Sequence, residues 1–231
     1  MVEKVKRDLI AGLVPAGGRG ERLGKGPKGF LKLNGKTLLK QVVNNLAGVV
    51  DRILVGVPSD HLKEAKEEVG NMAEVYPGGK SRQETIKLLL ERSEEQIIVI
   101  HDVARPFASQ KLLHKIIAGA TNFAACGSFI HSHLPVFFFE KDSVISSIPA
   151  KKILIPQSPQ AFRREILEKA YRLAREQGSE EQTTYELVLK LGIKIYIVEG
   201  EETNIKLTTP FDWEIAKKVI APTFRRNKNG N

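Results

Sequence analysis

The order of apolar segments along the chain predicts an α/β fold with a mostly parallel sheet. Short apolar runs alternate with longer stretches in which apolar residues recur at helical spacing, which is the pattern of strands joined by helices. Glycine-rich or polar loops directly follow several of the runs. One region, at about 131–156, lacks helical periodicity and has the pattern of short strands instead. We therefore expect a Rossmann-like three-layer sandwich that carries a β-hairpin arm.

The first half of the chain accounts for most of the expected sheet. Its apolar runs end at Gly, Pro or a polar residue, and the stretches between them carry apolar residues at helical spacing. Ser81 is expected to cap a helix, and Glu84 to complete a capping box with it. The expected strands are 9–14, 52–57, 74–76 and 96–100, and the expected helices are 38–46, 61–69, 81–90 and 110–118.

The second half begins with short strands and then returns to helices. Polar residues at 140–143 indicate a turn between two of the short strands. A last helix is expected from Pro210 or Phe211 to Ile220, because proline suits a first helical turn. The other expected strands are 124–130, 136–139, 144–148, 153–155 and 194–198, and the other expected helices are 163–177 and 183–191.

The strongly apolar run 134–139 contains three consecutive phenylalanines, Phe137 to Phe139. A hairpin arm that exposed them would be prone to aggregate unless something covered it. The simplest cover is a second subunit, so we expect a homodimer formed through an arm at about 131–156. The alternative is that the phenylalanines pack on their own domain.

The bulk composition fits a globular enzyme of one domain, 1–231, with 42% hydrophobic and 27% charged residues. No apolar run reaches about 18 residues, and the charged segment 1–8 lacks the apolar stretch of a signal peptide. One cysteine, Cys126, excludes an internal disulfide and a cysteine-based metal cage. We therefore expect a cytoplasmic protein with no membrane partner.

The net charge of +9 is compatible with a nucleic-acid partner or with small anionic substrates. The cations are spread along the chain, apart from a loop at 15–28 and a tail at 225–228, and no RNA- or DNA-binding motif is present. We therefore expect a small-molecule substrate and no nucleic acid.

The glycine-rich loop at 15–28 directly follows the first expected strand and carries three cations, Arg19, Arg22 and Lys28. Backbone N–H groups and cations together are what a polyphosphate needs. A P-loop is excluded because position 19 is not glycine, and the dinucleotide fingerprint is excluded because its third glycine would be Leu23. Two further loops, 78–85 and 102–106, also follow strands, so we expect all three at one edge of the sheet, around a nucleotide.

Five segments occur in the order and at similar separations found in one enzyme family. The chain resembles the nucleotidyltransferases that activate sugars and alditols, which carry a glycine-rich loop, then Arg, then Pro-Lys. It resembles more narrowly the cytidylyltransferases that act on 2-C-methyl-D-erythritol 4-phosphate, over about residues 8–220. The segments are 15–28, 78–85, 101–106, 158–162 and 203–208.

The resemblance implies attack of an alditol phosphate on the α-phosphorus of CTP, with Mg²⁺ as the accompanying metal. Arg22, Lys28 and Lys206 match residues that hold the triphosphate and stabilise charge at the α-phosphorus. Asp102 is expected to orient the acceptor or to steady Mg²⁺ through water, and Arg105 to order Asp102 or reach a phosphate; a purely structural Asp102–Arg105 ion pair is the alternative. The expected nucleotide-binding residues are Pro15, Ala16, Gly17, Gly18, Gly79, Lys80, Thr85 and Ala104.

Two of these expectations have plainer alternatives. Thr85 would otherwise be an exposed helix residue. His101 is expected to pack rather than to catalyse, since the reaction requires no histidine base.

The acceptor half departs from the family in three places. The Asp-Thr expected near the start of the arm is replaced by 132–136, and Thr-Asp-Glu is replaced by 182–184. The arginine that the arm supplies to the acceptor phosphate is replaced by Ala150, so Lys151 or Lys152 is expected to supply a point charge instead. Open alternatives are ribitol 5-phosphate or another alditol phosphate as acceptor, a nucleotidyltransferase that uses UTP or GTP, and a CTP-binding protein without acceptor chemistry.

Overall fold

The computed structural model describes residues 8–18, 20, 24 and 26–222, in which three β-sheets are present. The strands are β1 (Ile10–Pro15), β2 (Lys32–Leu33), β3 (Lys36–Thr37), β4 (Arg52–Val57), β5 (Glu74–Pro77), β6 (Ile97–Ile100), β7 (Ala125–His131), β8 (Val136–Glu140), β9 (Ser143–Ile148), β10 (Leu154–Arg163) and β11 (Tyr196–Glu199). The helices are α1 (Leu38–Leu46), α2 (Leu62–Val69), α3 (Arg82–Leu90), α4 (Gln110–Phe123), α5 (Arg164–Gln177), α6 (Thr184–Leu189) and α7 (Pro210–Ile215), and α7 continues as a π-helix over Ala216–Ile220.

The central sheet has seven strands in the order β11-β7-β10-β6-β1-β4-β5. The neighbouring pairs are parallel except at β10, which runs antiparallel to both β6 and β7. β2 with β3 and β8 with β9 form two small hairpins outside this sheet. The predicted mostly parallel α/β architecture is therefore confirmed.

Alternation along β1 builds a core on each face of the sheet. Ile10 and Val14 pack with α1, α2, α4 and α7, whereas Ala11 and Leu13 pack with α3, α5 and α6. Parallel strands require this arrangement, because both of their faces must be covered by helices. The result is the expected three-layer sandwich.

Side-chain caps fix where several helices begin. Ser81 accepts a hydrogen bond from the backbone N–H of Glu84, so the predicted cap of α3 is confirmed. The second half of the predicted capping box is wrong, because the Glu84 carboxylate accepts from the backbone N–H of Lys80 at 2.7 Å. Complete capping boxes are present instead at Thr183 and Thr209.

Two elements extend further than the sequence pattern predicted. β10 continues from the expected 153–155 to Arg163, and a register shift between Pro156 and Gln160 accommodates its two prolines. α4 continues to Phe123 because Gly119 allows close packing; a Cβ on this glycine would lie 2.3 Å from Cys126 Sγ. Packing on β7 and β11 thus stabilises a helix end that has weak intrinsic propensity.

The β8–β9 hairpin, which we call the arm, carries large apolar side chains that are exposed on both of its faces. The alternative in which the phenylalanines pack on their own domain is therefore wrong. Whether a second subunit covers them stays a prediction. Among the residues that the structure describes, no helix is both long and apolar enough to span a membrane.

Candidate active site

A pocket of about 1130 Å³ lies at the carboxyl ends of β1, β4, β5 and β6. The three loops predicted to converge all contribute to this large pocket. Arg22 falls outside the described residues. The predicted residues that line the large pocket are Pro15, Gly17, Gly18, Lys28, Gly79, Lys80, Thr85, Asp102, Ala104 and Lys206.

Ala16 does not line the large pocket. Its side chain is buried in the core, and its backbone N–H donates to Gly56 O at 2.7 Å. This bond joins the start of the glycine loop to β4. Ala16 therefore shapes the loop from behind, and the prediction that it binds the nucleotide gains no support from the geometry.

Close backbone packing brings Lys28 back towards the start of its loop. The backbone N–H of Lys28 donates to Gly18 O at 3.3 Å. Gly20 has φ +72°, and a Cβ there would lie 1.9 Å from Gly26 O, so only glycine fits. The loop thus presents Lys28 beside Gly18 on the pocket wall.

The far end of the chain supplies the opposite wall of the large pocket. Lys28 Nζ donates to Leu207 O at 2.8 Å, and the backbone N–H of Leu207 donates to Ala104 O at 2.9 Å. Arg105 fastens the same segment, since its Nη1 donates to Asn204 O at 2.6 Å. These bonds hold the segment around Leu207, and with it Lys206, against the pocket. Leu207 lies 179 positions after Lys28 in the chain, so the two walls come from distant parts of the sequence.

Asp102 stands between two cations, Arg82 and Lys206, and we call these three side chains the charged wall. Arg82 Nε donates to Oδ1 and Lys206 Nζ to Oδ2, each at 2.9 Å. Burial alone would raise the pKa of the Asp102 carboxyl, but the two cations outweigh it and hold that pKa well below its usual range. Asp102 is therefore a permanent anion that orients both cations.

The alternative of a structural Asp102–Arg105 ion pair is wrong. Arg105 donates to two backbone carbonyls, Asn204 O and, at 3.2 Å, Pro156 O. Its guanidinium therefore stiffens the loop that carries Lys206.

His101 is fully buried behind Asp102 and belongs to a chain of hydrogen bonds. Its Nδ1 lies 3.1 Å from Ser158 Oγ, and its Nε2 lies 3.0 Å from Arg105 O. Ser158 Oγ in turn accepts from the backbone N–H of Asp102 at 3.0 Å. Burial lowers the pKa of His101 to about 4, so the ring is neutral; Nε2–H donates to the carbonyl and Nδ1 accepts from the serine. His101 packs in the interior, as predicted, and its hydrogen bonds to Ser158 and Arg105 are an addition to that prediction.

Thr85 organises the second loop of the large pocket. It is 1% exposed, so the alternative of an exposed helix residue is wrong. Its Oγ1 accepts from the backbone N–H of Gly79 at 3.0 Å and donates to Ser81 O at 2.8 Å. These bonds fold the loop against α3. They also occupy the Gly79 N–H, so this donor is not available to a ligand in this arrangement.

A second cavity, of about 60 Å³, lies on the other side of the charged wall. Arg82, Asp102 and Lys206 line this small chamber as well as the large pocket. The rest of the chamber is uncharged apart from Arg105. Its other lining residues are Arg105, Pro156, Gln157, Ser158, Gln160, Gln182 and Thr183.

Two residues that line the cavities, Arg82 and Gln160, were not predicted, although both lie inside the segments 78–85 and 158–162. The available signal for Arg82 was a cation in the first turn of a helix that follows a predicted ligand loop. No signal marked Gln160, because the spacing does not show which face of β10 it occupies. Lys151 lines neither cavity of its own chain; it lies in the short 3₁₀ turn Ala150–Lys152 near the arm, where it is exposed.

The site's donor set does not form a protein cage for a metal ion. Within residues 8–18, 20, 24 and 26–222, no three His, Cys, Asp or Glu side chains are grouped so as to hold one. Both oxygens of Asp102 already accept from cations. The described residues of this site therefore do not form a metal cage by themselves.

Comparison with known proteins gives one consistent family. The family model described as IspD, 2-C-methyl-D-erythritol 4-phosphate cytidylyltransferase, matches residues 10–221. A relative of that name from Deinococcus radiodurans is 35% identical over 213 residues, which are 90% of this chain and 88% of the relative. One from Thermus thermophilus is 32% identical over 210 residues, 91% of this chain and 96% of the relative.

A solved structure supports the same fold. The crystal structure of 2-C-methyl-D-erythritol 4-phosphate cytidylyltransferase from Thermus thermophilus superposes with a TM-score of 0.80 at 29% identity. The match covers 94% of this chain and 100% of the other.

Proposed function

Because the chain belongs to the family of 2-C-methyl-D-erythritol 4-phosphate cytidylyltransferases, we propose that it transfers the CMP moiety of CTP to 2-C-methyl-D-erythritol 4-phosphate. The products are 4-diphosphocytidyl-2-C-methyl-D-erythritol and pyrophosphate. An oxygen of the acceptor phosphate bonds to the α-phosphorus, and the bond from that phosphorus to the bridging oxygen of the β-phosphate breaks. The electron pair of that bond leaves with pyrophosphate. The chain is thus a nucleotidyltransferase of isoprenoid biosynthesis.

One observation carries the assignment of roles: Lys28 and Lys206, from opposite ends of the chain, line one pocket. The reacting phosphate is attacked by another anion, so the barrier falls when cations neutralise both groups and hold them in line. Lys28 sits on the glycine loop, where it reaches the triphosphate. Lys206 belongs to the charged wall, where it reaches the α-phosphate from the acceptor side. Arg22 is proposed to join Lys28 from the same loop.

Asp102 is proposed to hold Lys206 and Arg82 in place and to receive the acceptor on the chamber side. Mg²⁺ is proposed to enter with CTP, since it neutralises charge on the phosphate oxygens. Through a bridging water Asp102 would steady the metal without giving up its ion pairs.

The base is proposed to lie against the small residues of the large pocket, Gly17, Gly18 and Gly79, where backbone groups come close. Cytosine presents an amino donor beside two acceptors. A site built for that pattern rejects uracil, because buried polar groups would lose their partners.

The arm is proposed to form a homodimer. The exposed apolar side chains of the hairpin require a cover, and a second copy offers an equally apolar surface. Lys151, near the base of the arm, is then proposed to reach the acceptor phosphate in the partner subunit's site.

The direct test is pyrophosphate release by the purified chain with Mg²⁺, CTP and 2-C-methyl-D-erythritol 4-phosphate, with UTP and ribitol 5-phosphate as competing substrates. We expect release with CTP and the methylerythritol acceptor, and kcat/KM at least about 10²-fold lower with UTP. CTP binding without any release would contradict the proposal, as would equal rates with UTP and CTP.

A further inference from the structure

Gln160 is a buried glutamine, only 4% exposed, on the wall of the small chamber. Its side-chain oxygen, Oε1, is fully buried and has no hydrogen-bond partner in the described part of the chain. Its backbone is fixed in the middle of the sheet, opposite Ile100 on β6 and Gly127 on β7. Burying an unpaired amide costs free energy, so such a group calls for an explanation.

The neighbouring glutamine shows how different this amide is. Gln157 also lines the small chamber, but its Nε2 donates to Glu201 O at 2.9 Å and its Oε1 accepts from the backbone N–H of Glu201 at 3.2 Å. The side chain of Gln157 thus fixes the loop that carries Lys206. The side chain of Gln160, which lines the same chamber, makes no such bond in the described part of the chain.

The chemistry around Gln160 matches a polyol. The chamber offers the guanidinium of Arg105 and the side chains of Gln182 and Thr183, with the charged wall on one side. Hydroxyl groups both donate and accept, and a glutamine amide does the same, because a half-turn about its last side-chain bond exchanges Oε1 and Nε2. The cations of the chamber, Arg105 and the charged wall, suit the phosphate end of such a substrate, and the uncharged side chains suit its hydroxyl groups.

The position of the small chamber beside the charged wall indicates which substrate enters it. Lys206 and Asp102 line both cavities, so a phosphate held at Lys206 has the large pocket on one side and the chamber on the other. If CTP fills the large pocket, as the proposed function requires, then the carbon chain of the acceptor extends towards the chamber.

We propose that Gln160 is a specificity-determining residue that hydrogen-bonds a hydroxyl group of the alditol acceptor. This inference rests on the proposed function. The bond uses a side-chain amide whose oxygen the fold leaves unpaired, so an acceptor without the matching hydroxyl forgoes that hydrogen bond and binds less well.

The experiment compares Gln160→Met with the wild type on 2-C-methyl-D-erythritol 4-phosphate and on analogues that each lack one hydroxyl group. Methionine keeps the length of the side chain and removes its donor and acceptor. Gln41→Met is the matched control, because its amide donates to Leu33 O and Lys36 O and the residue lines neither cavity. We expect Gln160→Met to lower kcat/KM for the full acceptor about 10- to 100-fold, with the KM for CTP unchanged.

The analogues decide the inference. On the one analogue that lacks the partner hydroxyl, Gln160→Met and the wild type should have the same kcat/KM. An equal loss on every analogue, or no loss at all, would mean that the amide holds only water or serves the fold, and would overturn the proposal. If Gln160→Met fails to fold, Gln160→Asn, which withdraws the amide by one methylene, is read in the same way.

Failure of the proposed function has a different signature. It would appear as a wild-type chain that releases no pyrophosphate with any acceptor. Calorimetric titration of 2-C-methyl-D-erythritol 4-phosphate into the CTP-loaded wild type and Gln160→Met then tests Gln160 alone. Weaker or absent binding by the variant alone supports the inference, and equal binding by both proteins, or binding by neither, overturns it.

Discussion

The large pocket and the arm are built on opposite principles. In the large pocket, side chains from opposite ends of one chain meet, and the buried charge of Asp102 is matched by Arg82 and Lys206. In the arm, successive apolar side chains from Val136 to Phe139 are exposed on both faces of a two-stranded hairpin. An isolated two-stranded hairpin is only marginally stable in water. A seven-stranded sheet covered by helices has the packing that independent stability requires.

The difference between these two regions indicates which parts of the proposed site come from one chain and which require a second chain. In the proposed function, the nucleotide side is built from one chain, because loops at the ends of parallel strands converge at one edge of the sheet. The proposed acceptor side lies towards the small chamber and, in the proposed dimer, depends on a partner's arm. The following variants separate the two regions, from the largest expected effect to the smallest.

Removing two phenylalanines from one face of the arm should abolish the dimer. In Phe137→Ser/Phe139→Ser each subunit loses two apolar side chains from the proposed interface, and each buried Phe stabilises by about 1.5–3 kcal/mol. The dissociation constant should rise at least about 10³-fold, measured by sedimentation equilibrium. Phe211→Ser is the control, since Phe211 on α7 is as exposed as Phe139, 73% against 74%. A double variant that stays dimeric would assign the interface elsewhere.

Lys206→Ala tests the large pocket in the same way. The ammonium group is proposed to stabilise charge at the α-phosphorus, and loss of one such group typically lowers kcat about 10²- to 10³-fold. Lys218→Ala removes a lysine that also pairs with a carboxylate at 2.9 Å, on Glu214, and should leave kcat unchanged. Steady-state kinetics with both substrates saturating makes the comparison. A Lys206→Ala enzyme with near-normal kcat would remove this lysine from the mechanism.

Asp102→Asn should have a smaller effect on activity and a measurable one on stability. Misaligned Arg82 and Lys206 should lower kcat/KM about 10- to 100-fold. Unfolding should become easier by about 1–3 kcal/mol at neutral pH, less than for a fully buried pair because Lys206 is 43% exposed.

The stability difference between wild type and Asp102→Asn should depend on pH in a defined direction. The pKa of Asp102 is lowered in the folded chain, so its stabilisation is present above the unfolded pKa of about 3.9 and is lost as the pH falls towards the folded pKa. The difference in unfolding free energy between wild type and Asp102→Asn should stay constant above about pH 5 and narrow progressively as the pH falls below about pH 4. Denaturant titrations across this range measure it, and a gap that widened in acid would contradict the assigned charge state.

Local sequence signals predicted most of the sheet and most of the large pocket. β4 and α1 have the predicted boundaries because apolar spacing, the cap at Thr37 and the proline after β4 all act within a few residues. The loop ends meet because parallel strands place them at one edge. Both kinds of prediction follow from rules that need no knowledge of side-chain partners.

The pairings within the site could not be predicted in this way. Asp102 was expected near Arg105, three residues later, but its partners are Arg82, twenty residues earlier, and Lys206, far along the chain. The first turn of α3 and the segment before α7 both face the end of β6. Likewise, the unpaired Oε1 of Gln160, which follows a register shift in β10, has no signal in the spacing of the sequence. Such contacts are set by the tertiary arrangement of whole elements, which sequence spacing does not encode.

The smallest expected effect belongs to Lys151, the one residue by which the arm region is proposed to act on the partner's site. An exposed lysine acts as a screened point charge, so Lys151→Ala should raise the KM for the acceptor only about 3- to 10-fold and leave the KM for CTP unchanged. Lys152→Ala, one residue along the same turn, is the control.

Subunit mixing turns this small effect into a decisive one. A heterodimer of Lys151→Ala and Lys206→Ala subunits contains one site with an intact Lys206 and, from the partner, an intact Lys151, if the arms act across the dimer. That site should show the wild-type KM for the acceptor, whereas a Lys151 that acts within its own chain would leave every working site with the raised KM. The measured KM of the mixture therefore decides whether the acceptor side is completed by the second chain.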